Sequence, residues 1–192
     1  MKHKWINSVL AVLLAAAIAC LSICLANRGI PRLSLNLAMR AYEAAFDDGA
    51  PDDLKLTIYY LHPCSWTRAP IWKLEQLDDN MAGSEKIVVG AEELLAHAEQ
   101  FGELNADGLY PQSVFSAFVS DDMVIGQHLR MGYILEREDG EILLKVYTYD
   151  LLCSESVIVN GIKVKNDPIF YELIDPYLTD ADRETLRAWE KY

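Results

Sequence analysis

The stretch YYLHPCSWTRAPIW, residues 59–72, gathers in fourteen positions the side chains best suited to recognition or chemistry. Tyr60, Trp66 and Trp72 offer flat faces that could stack on a sugar or anchor a partner protein, and Arg68 adds a planar fork of donors. Displayed on a loop, these four residues would form a binding surface; folded inward, they would only close the core. His62 and Cys64 add a base and a thiol, so a cell-surface hydrolase could use Cys64 as nucleophile with a histidine. Two positions apart around Pro63, they do not converge by spacing alone. A working dyad also needs hydrogen-bond reach and a third group to orient the base, and His97 or His128 would have to come from elsewhere in the fold.

Ordinary structure accounts for the other constellations. The histidines are scattered, with no CxxC or HExxH spacing, so neither a metal nor another cofactor is expected. A calcium loop beginning at Glu103 would need a bidentate Glu at its twelfth position, where Val114 stands. Gly90 is a lone glycine, followed by Glu92 and Glu93, which would repel a phosphate. No GxSxG is present. The leading expectation is therefore a domain that binds a protein or glycan partner and catalyses nothing. A hydrolase using Cys64, or a glycan or small-ligand receptor using the aromatic loop, is the alternative.

These residues must be positioned by helices and hairpins. Leu35, Met39, Tyr42 and Phe46 recur at helical spacing, and Gly49 with Pro51 ends that helix. LKLTIYYL, residues 54–61, reads as a strand; residues 62–72 read as a loop leading to a short helix through Leu74 and Leu77. A second strand ends at Val89, and Gly90 opens one helix with Leu94, Ala98 and Phe101 on its buried stripe, close to which lies His97. Asp139-Gly140 and Asn160-Gly161 each sit between β-rich runs, the strongest short-range hairpin pattern. A short helix follows from Pro168 to Ile174, and Thr179 with Asp182 forms a capping box for the last one. Helices gathered around antiparallel hairpins predict an α+β domain over residues 27–192.

Residues 1–26 are of another kind. From Trp5 to Ala26 there are 22 residues without a charge, preceded by Lys2 and Lys4. At about 1.5 Å per residue that helix crosses a hydrocarbon core, so it can be a retained anchor that holds residues 5–26 in the membrane. It can also be a cleaved signal with small residues before Asn27, or a lipid-attachment signal ending at Cys20. Pro31 predicts a break between this segment and the domain. Signal-like grammar favours a single-pass arrangement at the cell membrane with the C-terminal domain outside, and the alternatives are secretion or a lipid anchor. Arg28, Arg32 and Arg40 follow the segment and weigh the other way.

The domain carries all 29 acidic residues and 15 of the 17 basic ones, a net charge of −14. Such a surface repels nucleic acid and anionic lipid headgroups, so neither is expected as its partner. Cys64 and Cys153 are the domain's two cysteines. Bridged in an oxidising compartment, they would close a loop worth about 4–5 kcal/mol in the chain-entropy account; otherwise they are buried thiols.

The run VIVNGIKVKNDPIFYELIDPYL, with the hairpin before it, resembles small, uncharacterised membrane-anchored or lipoprotein-like proteins of Gram-positive bacteria. The resemblance spans residues 54–178 and implies an extracytoplasmic setting, with no activity and no site residues attached to it.

Overall fold

The computed structural model describes residues 2–47, 49–63, 65, 74–77, 83–112, 129–148, 151–152 and 154–188. The chain begins as one unbroken helix. α1 (Lys2–Cys24) passes through a π-helical turn (Leu25–Gly29) into α2 (Ile30–Phe46). The break expected at Pro31 does not occur, and the widened turn supplies the reason. Inside a regular α-helix the proline ring would strike the carbonyl four residues earlier and leave it unbonded. Here the Ile30 N–H reaches back five residues to the Leu25 carbonyl, and Pro31 falls in the first turn of α2, where a missing N–H costs little. The proline is accommodated by one extra residue in the turn rather than by a kink. The N-terminal part of this helix is long and apolar enough to cross a membrane, and none of its most apolar stretch is buried against the domain.

The domain is α+β. Six strands form one antiparallel sheet in the order β2-β1-β3-β4-β5-β6, comprising β1 (Leu54–Leu61), β2 (Ser84–Val89), β3 (Met131–Arg137), β4 (Ile142–Thr148), β5 (Ser156–Val159) and β6 (Ile162–Lys165). Both Xaa-Gly pairs make the expected hairpins. Asn160 and Gly161 have φ of +46° and +83°, the double left-handed geometry of a two-residue turn matched to strand twist. At Asp139-Gly140 only the glycine is left-handed among the two, and the β3–β4 register shifts beside it between Leu135 and Glu136.

One sheet face carries the main core. Leu56, Ile58 and Tyr60 of β1, Met131, Tyr133 and Leu135 of β3, and Val146, Val159 and Val164 point into it. Against them pack α2 through Leu35, Met39 and Tyr42, α3 (Ala91–Leu95) through Leu94, α4 (Ala98–Glu103) through Phe101, α5 (Ile169–Glu172) through Phe170 and α6 (Asp180–Arg187) through Leu186. The single helix expected after Gly90 is two short ones, because His97 leaves helical geometry at φ −131°. The His97 ring is exposed and stands edge-on to Tyr177, with 5.8 Å between centroids. The three α2 side chains are fully buried, each contributing about 2 kcal/mol. The Tyr42 hydroxyl donates to the Phe101 carbonyl, fastening α2 to α4. Burial pushes that hydroxyl far above its ordinary pKa, so it stays a donor at any physiological pH.

Against the opposite face lie described residues of the connection from β1 to β2. Its two ends are pinned together: the His62 N–H donates to the Gly83 carbonyl at 2.7 Å, and Arg130 Nη1 donates to the Ser65 carbonyl at 3.0 Å. Between those ends Leu74 and Leu77 return to the sheet and form a second cluster with Tyr59, Leu61, Leu129 and Ile134. Gly132 is what lets Leu74 in, since a Cβ there would lie 2.7 Å from Leu74 Cδ2.

Candidate functional site

The side chains singled out for chemistry fall into three groups. Trp66, Arg68 and Trp72, with Cys64 and Cys153 of the possible bridge, lie outside the described residues, as does His128. Cys20 is a free, exposed thiol on α1. Tyr60 does not belong to a surface. Being fourth in the inward-facing series of β1 after Leu54, Leu56 and Ile58, it is carried into the main core and is 3% exposed. Tyr59 points the opposite way, 8% exposed beneath Lys86, whose ammonium stands 5.8 Å from the ring centroid. The binding surface expected from Tyr60, Trp66, Arg68 and Trp72 thus loses its first member to the interior, and the neighbouring Tyr59 is buried as well. The described ends of the loop are held at the β1–β2 margin of the sheet.

Tyr60 has a structural task instead. Its hydroxyl donates to Asp182 Oδ1 at 2.5 Å, while Asp182 Oδ2 accepts from the N–H of Thr179 at 2.8 Å and from its hydroxyl at 2.6 Å. The expected capping box of α6 is therefore complete, and one of its carboxylate oxygens also ties the helix to β1. Burial, then the bond to Asp182, pushes the Tyr60 hydroxyl well up. For Asp182, burial acts upward but is outweighed by the bonds from Thr179 and Tyr60 and by Arg183, so its carboxyl titrates below the usual range. A carboxyl depressed in the folded state stabilises above its unfolded pKa of about 3.9, and that contribution fades as pH falls through the folded value. Asp182→Asn should therefore cost about 1 kcal/mol at pH 7, and the gap from wild type should narrow below about pH 4. Urea titrations at pH 7 and pH 3 read both numbers.

The described surface holds a polar cleft beside α5. It has a volume of about 690 Å³ and is walled by Gln112, Glu155, Lys165, Asn166, Tyr171 and Glu172, among others. Its shape comes from a bend that Asn166 holds open. Asn166 Nδ2 donates to the carbonyls of Leu151 and Ser154, both at 2.8 Å, drawing the β4–β5 connection against the strand that leaves β6. Asn166 Oδ1 is then buried with no donor among the described residues, and burial together with Asp175 pushes the Tyr171 hydroxyl up. Buried polar atoms without partners are few in native proteins, and Asn166, which carries one, also borders this cleft. Glu155, Asp167 and Glu172 against Lys165 give the walls a negative balance. A cationic, donor-rich group fits this lining. No set of three metal-binding side chains occurs among the described residues.

Neither Asn166 nor Tyr171 was identifiable as a site residue beforehand. The only local cue was Asn-Asp-Pro at 166–168, which reads as a turn before it reads as anything else. Comparison with protein-family models, with curated proteins and with solved structures gives no match.

Proposed function

We propose that this chain is a single-pass, membrane-tethered binding domain that stands outside the cell membrane and receives a basic, donor-rich partner segment in the cleft beside α5. The observation that carries it is the unbroken helix from α1 into the core. α2 is both the continuation of the apolar helix and a central packing element of the domain. A tether of this kind transmits orientation. Seventeen helical residues of α2 rise about 25 Å, so the cleft is held at a set height and attitude above the bilayer instead of swinging on a linker. The charged start, apolar core and small residues that end the segment support the outward orientation.

The full-length protein produced in a bacterium tests this directly. Expected are the full mass in the membrane fraction and digestion of the domain by protease added to intact cells. A mass starting at Asn27 in the medium, or at Cys20 with acyl chains, would replace the tether by secretion or lipidation. A protected domain would place it inside, as Arg28, Arg32 and Arg40 favour by count. A photo-crosslinking residue at Glu172 should give a discrete adduct in cells, and one at the exposed Glu99 of α4 should not. Equal labelling from both positions would remove the cleft from the reading.

A further inference from the structure

Where the helix enters the domain, α2 and the segment after α4 enclose a groove of about 790 Å³ whose walls include Arg28, Arg32, Leu33, Asn36, Tyr110 and Pro111. Among the described residues no carboxylate lines it, in a chain whose formal charge is −12. Arg28, Arg32 and Asn36 succeed one another at one-turn spacing, so their side chains lie along one face. The facing wall is fixed. The Tyr110 carbonyl accepts from the Lys165 N–H at 2.8 Å, and Pro111 bridges to Val164 of β6. Arg32 Nη1 reaches across to the Ala106 carbonyl at 2.5 Å, pinning one wall to the other. The next residue, Asp107, is not part of the lining, and Glu43 is turned to the Ala106 N–H at 2.7 Å.

Two further features set the depth of this groove. The uncharged stretch ends at Ala26, and its 22 residues rise roughly 33 Å, about one hydrocarbon thickness. Arg28 therefore emerges where headgroups begin. Beyond it, α2 leaves Ile30, Leu33 and Leu37 exposed at 52%, 60% and 63%, an apolar stripe that continues that of the span. Tyr110 is 67% exposed beside it, the placement of an aromatic ring at a membrane interface. The guanidiniums of Arg28 and Arg32 suit the phosphate of a lipid and Tyr110 suits its headgroup boundary, and the acyl chains of such a lipid run back along α1 inside the bilayer.

We infer that this groove is a docking site for the phosphate of an anionic phospholipid in the same membrane that α1 crosses, clamping the domain to the bilayer surface. The inference rests on the tether reading. It also reverses locally what the overall charge implies: −14 on the domain keeps anionic lipid off most of its surface, and the groove is the exception.

The full chain is placed in nanodiscs of phosphatidylcholine alone or with phosphatidylglycerol, and the lipids it retains are identified by native mass spectrometry. Expected is retention of phosphatidylglycerol, lowered about tenfold or more by Arg28→Gln with Arg32→Gln, and unchanged by Arg40→Gln elsewhere on the same helix. Arg28→Gln alone, which removes no hydrogen bond of the fold, should lower it several-fold with an unaltered melting curve. Lysine at both positions should restore most of it, because phosphate accepts a point charge. Equal retention of the two lipids by wild type, or equal loss on Arg40→Gln, overturns the site. Displacement of bound lipid by millimolar inorganic phosphate would make it a site for free anions and overturn the docking. A dimer that persists without anionic lipid would make the groove a contact between copies, which also overturns it. A chain that does not enter the nanodisc at all fails the tether reading itself, a distinguishable result.

Discussion

Gly132→Ala is expected to cost at least about 3 kcal/mol and to leave a small folded population at 37 °C. A Cβ at this position would stand 2.3 Å from the Val146 carbonyl oxygen, 2.8 Å from Tyr147 Cα and 2.7 Å from Leu74 Cδ2. Leu74 could turn aside. The other two are backbone of β4, and β4 is held in register with β3 from Met131 opposite Thr148 to Leu135 opposite Leu144. Relief would require parting the central strands, with loss of ladder hydrogen bonds on both sides. Leu74→Ala in the same chain should therefore recover little of the loss. Gly90→Ala is the control, since a Cβ there meets nothing within 4 Å and the backbone φ is −83°. Urea unfolding followed by circular dichroism separates the cases; a Gly132→Ala domain within 1 kcal/mol of wild type would mean that the β4 backbone at Val146 and Tyr147 does not pass this close to Gly132. The expectation bears on recognition too, because Leu74 and Leu77 anchor the connection that contains Trp66, Arg68 and Trp72.

The ease of reading each element followed how local its cause is. Asn160-Gly161 is an instruction contained in two residues, and the capping box of α6 needs only Thr179 and Asp182. β1 was legible as a strand because LKLTIYYL is built of β-formers. Which way its tyrosines point was not, since neighbours on both faces are apolar and the alternation that would assign a face is missing. The sheet decides: Tyr60 goes inward and Tyr59 goes under Lys86. Pro31 misled for a related reason. A proline forbids the regular i to i−4 bond, but a turn of i to i−5 bonds evades the prohibition, and nothing in the residue types forces one solution over the other. The two surface features argued above are further from the chain still. The cleft combines residues 112, 155, 166 and 171, and the groove joins the helix at 28–36 to a segment at 110–111. Only the topology brings those positions together.

Asn160→Ala should be the most damaging single change at a turn, at about 3 kcal/mol, or roughly 6–12 °C in Tm for a domain of this size. Two effects add. The residue sits at φ +46°, where alanine is strained by about 1 kcal/mol. Its side chain also works in three directions: Oδ1 accepts from the Lys145 N–H at 2.7 Å, and Nδ2 donates to the carbonyls of Leu143 at 3.0 Å and Ala38 at 2.9 Å. Ala38 belongs to α2, so this turn residue of the sheet also fastens the helix that leads to the membrane. Asn160→Gly removes the strain and keeps the loss of bonds, and should cost about 2 kcal/mol. Asn160→Asp keeps the acceptor but sets a carboxylate against two carbonyl oxygens, and should be at least as destabilising as alanine. The order Gly, then Ala, then Asp in increasing damage follows only if both amide atoms are engaged as described. Were aspartate the mildest of the three, the turn would be acting through Lys145 alone. The bond from Nδ2 to Ala38 would then carry nothing, and the attachment of α2 to the sheet would rest on Leu35, Met39 and Tyr42 by packing.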